Sequence, residues 1–200
     1  MINTAFYNYL YEKSILKKLK SEDNFKAKLF ISPPFGNYSY IHKLFPNNVI
    51  NIRGSFTLEP RPGLWGQVFK TLRYSKLHNG WINKIGLRNP GIDYAINKYY
   101  NKLSRDERKQ NIISIAILKE DDIPLLKQKI PEDMNLEINI SCPNTENDLI
   151  YNGISAFLNG NREWCIVKLS PIVETSTIDN LYEQGFRQFH CSNTNPVLEG

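Results

Sequence analysis

IISIAIL (112–118), LEINIS (136–141) and CIVKLS (165–170) are short runs rich in Ile, spaced about 25 residues apart. Most of the chain's short apolar runs are rich in Ile and Val, so they suit buried strands of a parallel sheet. Working outward, KLFIS (28–32) and VINIRGSFT (49–57) precede them, and RQFHCSN (187–193) follows. Segments of helical character lie between them, near 91–103, 121–130, 148–159 and 175–185. Strand and helix alternate, which predicts an α/β fold with a parallel sheet. The stretch 58–90 holds too many Gly, Pro and Arg for a plain connecting helix. It is expected to be an extended loop or hairpin that carries site residues.

Composition limits the classes. The chain has 200 residues, 41% hydrophobic and 22% charged, with 11 Gly and 11 Pro. That is enough for one cored domain, and it excludes disordered, collagen-like and coiled-coil chains. No apolar run is long enough for a transmembrane helix, and the N-terminus lacks the apolar region of a secretory signal. Cys142, Cys165 and Cys191 show no CxxC spacing. The expectation is a reducing, cytoplasmic compartment and no metal site. The net charge of +5 and pI of about 9.0 fit either affinity for an anion or an AT-rich coding sequence. Nucleic acid is not an expected partner, because no Arg-rich run or Gly-aromatic signature is present.

Residues 1–24 stand apart. Phe6, Tyr9, Leu10, Ile15, Leu16 and Leu19 recur at roughly helical spacing, with Lys13, Lys17, Lys18 and Lys20 between them. This amphipathic segment is expected to cover the bottom of the domain. Contact of residues 4–20 with a membrane surface is the less favoured alternative.

The polar residues fall at or near the C-terminal ends of the strands. The second strand ends in Ser55 and Thr57, and the third carries Ser114. The fourth carries Asn139 and runs into Ser141, Cys142 and Asn144. The fifth ends with Lys168, and the sixth with Ser192, Asn193 and Thr194. Parallel α/β architectures build their sites on that side. One such residue is a cap or a satisfied core polar; strand after strand in the same direction is a site.

These segments resemble the dihydroorotate dehydrogenase family. LEINISCPN (136–144) is similar to its fourth-strand motif, and GSFTLEPRPG (54–63) to the loop after its second strand. WINKIGLRNPGID (81–93) is similar to its substrate loop, IVKLSP (166–171) to its fifth strand and CSNTN (191–195) to its sixth. The resemblance runs in family order from about residue 28 onward. It implies a (β/α)8 TIM barrel that holds FMN at the C-terminal ends of its strands, with residues 25–200 as the FMN-binding barrel domain. About six of eight β-α units are read in this chain. The expectation is a C-terminally incomplete barrel, more readily a fragment than a genuine short form, that binds FMN weakly by itself because the phosphate loops are missing.

The resemblance implies oxidation of dihydroorotate to orotate, with FMN as hydride acceptor, in de novo pyrimidine (UMP) biosynthesis. Cys142 stands where the family places its catalytic base. In isolation, Cys142 equally suits a small buried thiol at a strand end. Asn83, Asn139, Asn144 and Asn193 align with the substrate-contacting asparagines, whose amides offer the ureide ring both a donor and an acceptor. Thr194 aligns with a hydroxyl contact beside them. Ile85, Gly86 and Leu87 correspond to backbone donors for the substrate carboxylate. Asn139 and Asn144 equally suit Asx turns. Lys168 aligns with the lysine that faces the flavin. Ser55, Ser114, Asn139 and Ser192 complete the cofactor contacts, although each serine equally suits a strand-end amide. Cys165 and Cys191 are read as structural.

There are departures. ISPPFGNYSY (31–40) lacks the Ala-rich or Ser-Gly ending of the family's first strand. Gly54 stands where soluble members carry Lys, as in the quinone-using branch, whereas Cys142 resembles the soluble branch. The electron acceptor therefore stays open between fumarate, quinone and a partner subunit, and homodimer formation is also left open. Two rival readings remain. One is a flavin reductase of other pyrimidines or of tRNA uridine. The other is a non-catalytic short form that binds a partner through an open barrel edge.

Overall fold

The computed structural model describes residues 28–38, 48–77, 79–140, 147–158 and 160–191. The N-terminal segment and five of the site positions named above (Cys142, Asn144, Ser192, Asn193 and Thr194) lie outside the described residues. The strands are β1 (Leu29–Ile31), β2 (Val49–Phe56), β3 (Arg73–Ser75), β4 (Gly80–Ile82), β5 (Asn111–Ala116), β6 (Leu136–Asn139), β7 (Cys165–Lys168) and β8 (Gln188–His190). The helices are α1 (Leu64–Thr71), α2 (Ile92–Ala95, widening over Ile96–Tyr100), α3 (Arg105–Lys109), α4 (Asp122–Lys129), α5 (Asn147–Gly153, tightening over Ile154–Leu158) and α6 (Thr175–Glu183).

Six strands form one curled, all-parallel sheet in the order β1-β2-β5-β6-β7-β8, a partial (β/α)8 barrel. The expected α/β class is met. Each expected strand is present, because runs such as Asn111–Ala116 are buried on both faces and need no polar side. The stretch 58–90 differs from expectation. It contains the hairpin β3-β4, and also α1, an eight-residue helix.

Alternation sorts each strand into two faces. Phe56, Ile113, Ile115, Leu136, Ile138 and Val167 pack outward against Ile92, Ile123, Leu126, Ile154, Phe157 and Leu181 from the helices. Ile50, Ile52, Ile112 and Ile166 form a second, inner cluster with Phe30 and Trp164. Ser114, Glu137, Asn139, Lys168 and His190 share that inner face by strand parity.

Ser55 reaches the inner face only through an irregularity. Arg53 pairs with Ile113 and Phe56 with Ile115, so three steps on β2 oppose two on β5. Such a bulge inverts the alternation and re-aims a side chain. Gly54 supplies the backbone for it at φ 135°, and the Gly54–Ser55 bond is cis. A Cβ on Gly54 would stand 2.5 Å from the Ser114 carbonyl oxygen, so a side chain there would push the two strands apart. The turn Phe35–Asn37 braces the bulge: Gly54 N donates to Asn37 Oδ1 at 2.8 Å. Arg53 holds that turn by donating to the carbonyls of Gly36 and Asn37 at 3.1 and 2.9 Å.

Candidate active site

Five side chains from β2, β5, β6 and β8 form one directional hydrogen-bond chain on the inner face. Asn139 Nδ2 donates to Ser55 Oγ at 3.0 Å, and the Ser55 and Ser114 hydroxyls lie 2.9 Å apart. Ser114 Oγ donates to Glu137 Oε1 at 2.7 Å, and His190 Nδ1 lies 2.6 Å from Glu137 Oε2. A hydroxyl carries one hydrogen. Ser114 uses its own on Glu137, so Ser55 must be the donor to Ser114. The order is then Asn139 to Ser55 to Ser114 to Glu137, with His190 closing on the same carboxylate.

Glu137 and Ser114 are fully buried. A carboxylate stays there only where donors converge on it, and here a hydroxyl and an imidazole do so. β6 and β8 flank β7, so the Glu137–His190 pair spans that strand across the inner face. Lys168 on β7 stands in register between Asn139 and His190. It is half-buried, and no carboxylate pairs with it among the described residues. Deeper on the same face, Phe30, Ile52, Trp164, Ile166 and His190 line a cleft of about 300 Å³. Phe30 meets Trp164 edge-on at 5.2 Å between ring centroids. The arrangement offers an apolar wall, a row of hydroxyl and amide groups, and one cation at the rim.

A second group stands on the excursion between β2 and α2. Its neck is closed by an antiparallel bridge, with Arg61 N donating to Asn89 O at 2.8 Å and Asn89 N to Arg61 O at 2.9 Å. Asn89 is buried and organises this neck. Its Oδ1 accepts from Thr57 N and Gly91 N at 3.1 and 2.9 Å, and its Nδ2 donates to Leu87 O at 2.6 Å. Asn83 is exposed, and its Oδ1 accepts from Ile85 N at 3.3 Å. Gly86 and Leu87 turn the chain at φ 69° and 54°.

Ser55, Ser114 and Asn139 are thus joined directly, and Lys168 stands beside them. Asn139 is the last residue of β6, and its amide donates to Ser55, whose hydroxyl meets that of Ser114. Asn83, Ile85, Gly86 and Leu87 share one loop, and no hydrogen bond joins them to the chain among the described residues. Glu137, His190 and Asn37 were not anticipated. The signal for Glu137 was a charge in the middle of an apolar strand, two residues before Asn139.

Cys165 behaves as the structural reading expects. Burial pushes its thiol up to about 11, and Sγ lies 3.7 Å from the Phe157 carbonyl. Cys191 is exposed. Alkylation of the native protein at about pH 8, near the ordinary thiol value, should therefore modify Cys191 and spare Cys165. Peptide mapping checks this, and equal labelling of the two would contradict the buried thiol.

Among the described residues, no group of three or more His, Cys, Asp and Glu could hold a metal ion. No helix among them is long and apolar enough to cross a membrane.

Comparison with known proteins bears on this site. Residues 41–195 match the family described as dihydroorotate dehydrogenase. The catalytic subunit of dihydroorotate dehydrogenase B (NAD(+)) from Malacoplasma penetrans is 33% identical over 118 residues, covering 52% of this chain and 37% of that protein. The protein of the same name from Streptococcus pneumoniae is 28% identical over 163 residues, covering 72% and 51%. The one from Petrotoga mobilis is 30% identical over 151 residues, covering 64% and 47%. The chain spans about half the length of these curated relatives, or less.

Proposed function

The chain belongs to the dihydroorotate dehydrogenase family, and from that premise we propose that it serves the oxidation of dihydroorotate to orotate in pyrimidine biosynthesis, with FMN as hydride acceptor. The observation that carries the reading is the hydrogen-bond chain Asn139–Ser55–Ser114–Glu137, with the Lys168 cation beside it. The residues present fit a flavin. Ile52 and Ile166 give its ring system an apolar wall, Ser55, Ser114 and Asn139 give its polar edge partners, and Lys168 answers an anionic edge. Ser192 is the remaining cofactor contact carried over from the resemblance. FMN supplies, when bound, the hydride acceptor.

The chain's own residues would do the rest. Cys142 holds the base position and takes a proton from a ring carbon of the substrate. Asn83, Asn139, Asn144 and Asn193 hold the ureide, with Thr194 beside them. The backbone of Ile85, Gly86 and Leu87 receives the carboxylate. Asn83 already bends its own loop through Ile85 N, which supports a preformed turn there. NAD(+) stands in the names of the three relatives above, and transfer toward NAD(+) is the acceptor we carry over. A cytoplasmic location accords with the free thiols of Cys165 and Cys191.

The test is a titration of the protein, in a form that carries all eight β-α units, with FMN, followed by orotate, read as changes in the flavin absorbance. Orotate should perturb the spectrum and compete with dihydroorotate, while uracil should do neither. A flavin spectrum indifferent to orotate would sink the reading. Lys168→Met should weaken FMN binding by about 10-fold or more, the scale of a lost hydrogen bond to a charged group. Fluorescence titration measures it, and unchanged affinity would remove Lys168 from the flavin site.

A further inference from the structure

The excursion between Arg61 and Asn89 carries a surface that the reaction does not use. Leu64, Trp65 and Phe69 on α1 and Tyr74, Leu77 and Trp81 on the β3-β4 hairpin are all exposed, Phe69 at 82%, Leu77 at 88% and Trp81 at 67%. Trp65 and Phe69, four residues apart on one helical face, lie 6.4 Å apart, and Tyr74 meets Trp81 edge-on at 5.9 Å. The helix runs directly into β3, and Lys84 N donates to Thr71 Oγ1 at 3.1 Å, which ties the hairpin's return to the helix. This apolar surface therefore stands on one braced protrusion rather than scattered over the molecule. Soluble proteins rarely leave so large an apolar area open without a partner.

Charge identifies the partner. Residues 61–89 contain Arg61, Lys70, Arg73, Lys76, Lys84 and Arg88, and no Asp or Glu. Lys70, Arg73 and Lys76 are exposed, and none of them is in an ion pair among the described residues. Two surfaces attract such a protrusion, an acidic protein and an anionic membrane. Protein interfaces share the enrichment in aromatic residues and Arg but are depleted in Lys, which this protrusion carries as Lys70, Lys76 and Lys84. Here the aromatic side chains project from a helix and a two-stranded ribbon, with Lys and Arg interleaved. Trp, Tyr and Phe at headgroup depth with flanking Lys and Arg is the chemistry of a lipid interface.

We propose that the Arg61–Asn89 excursion is a membrane-docking element, in which Trp65, Phe69 and Trp81 enter the interface of an anionic lipid surface and Lys70, Arg73 and Lys76 contact its headgroups. This docking is independent of the flavin reading and of residues 4–20. It makes the association peripheral, held by interfacial side chains and headgroup contacts.

The test is co-sedimentation of the chain with phosphatidylcholine vesicles, with and without phosphatidylserine. Binding should require phosphatidylserine. It should fall at least 10-fold in the W65S/F69S/W81S variant, and by a similar factor in K70Q/R73Q/K76Q. All six side chains are exposed, so the variants should melt like the wild type. Should either melt early, a measurement on the wild type decides instead. Brominated lipid should then quench the fluorescence lost in W65F and W81F, and spare that of Trp164 on the inner face. No binding to anionic vesicles would overturn the proposal. So would binding that both variants retain, which would place the contact elsewhere on the chain, or quenching that both single substitutions leave unchanged. Equal binding with and without phosphatidylserine would overturn the proposal of an anionic surface, because Lys70, Arg73 and Lys76 would then not be selecting its headgroups.

Discussion

Glu137→Ala is expected to destabilise the folded chain by about 3 kcal/mol or more, from the buried hydrogen bonds it breaks together with the space it leaves. The carboxylate is fully buried, takes the only hydrogen of Ser114 and faces His190 Nδ1 at 2.6 Å. Truncation leaves Ser114 without an acceptor, leaves the imidazole without its partner and opens a space on the inner face. For a chain of this size, each kcal/mol is worth roughly 2–4 °C in Tm, so the melt should come about 10 °C earlier. Two further variants separate charge from volume. Glu137→Gln keeps the shape and an acceptor for Ser114, and should cost less than half as much. Glu137→Leu combined with His190→Leu removes both partners, and should cost less than the two single changes added together, because neither polar group is left facing an unmatched neighbour. Thermal denaturation followed by circular dichroism measures all of these. If Glu137→Ala melted within about 2 °C of wild type, the carboxylate would not be holding the strands together.

The same carboxylate marks where the sequence stops being readable. The strands were legible because burial on both faces leaves a compositional trace, and Asn111–Ala116 is buried at every position. The charge in LEINIS was visible too. Its partner was not, because His190 lies 53 residues away on a strand that does not adjoin β6, and nothing local encodes such a pairing. Ser55 shows a second limit. Counting by twos from Ile52, which faces inward, puts Gly54 on the inner face and Ser55 on the outer. The three-for-two step between Arg53 and Phe56 reverses that, and it depends on the φ of Gly54 and on the clamp from Asn37. Strand periodicity alone would have put Ser55 on the outer face; the bulge brings it to the inner one, beside Asn139 and Ser114. α1 escaped notice because Gly63 precedes it, Gly66 lies within it, and Gly weakens a helix. By contrast, SRDE (104–107) has the sequence form of a capping box, and the structure forms both of its reciprocal hydrogen bonds.

In a complete protein that performs the proposed reaction, Cys142→Ala should slow dihydroorotate oxidation by about 10²-fold or more, the scale of losing a general base, while FMN binding is retained. The position follows β6 directly, three residues beyond Asn139, whose amide begins the hydrogen-bond chain. The thiolate, not the thiol, is the form that accepts the proton. Cys165 cannot take over, because burial holds its thiol up at about 11. Cys142→Ser replaces the thiol with a far weaker acid, so the variant should retain some activity, mostly at high pH. The assay is orotate formation with a dye acceptor across a pH series, paired with an FMN titration of each variant. The pairing distinguishes two failures. Loss of FMN from Cys142→Ala would mean that the residue supports the site rather than moving a proton. Wild-type turnover with FMN bound would mean that another group is the base, and the resemblance at LEINISCPN would then carry the fold but not the chemistry.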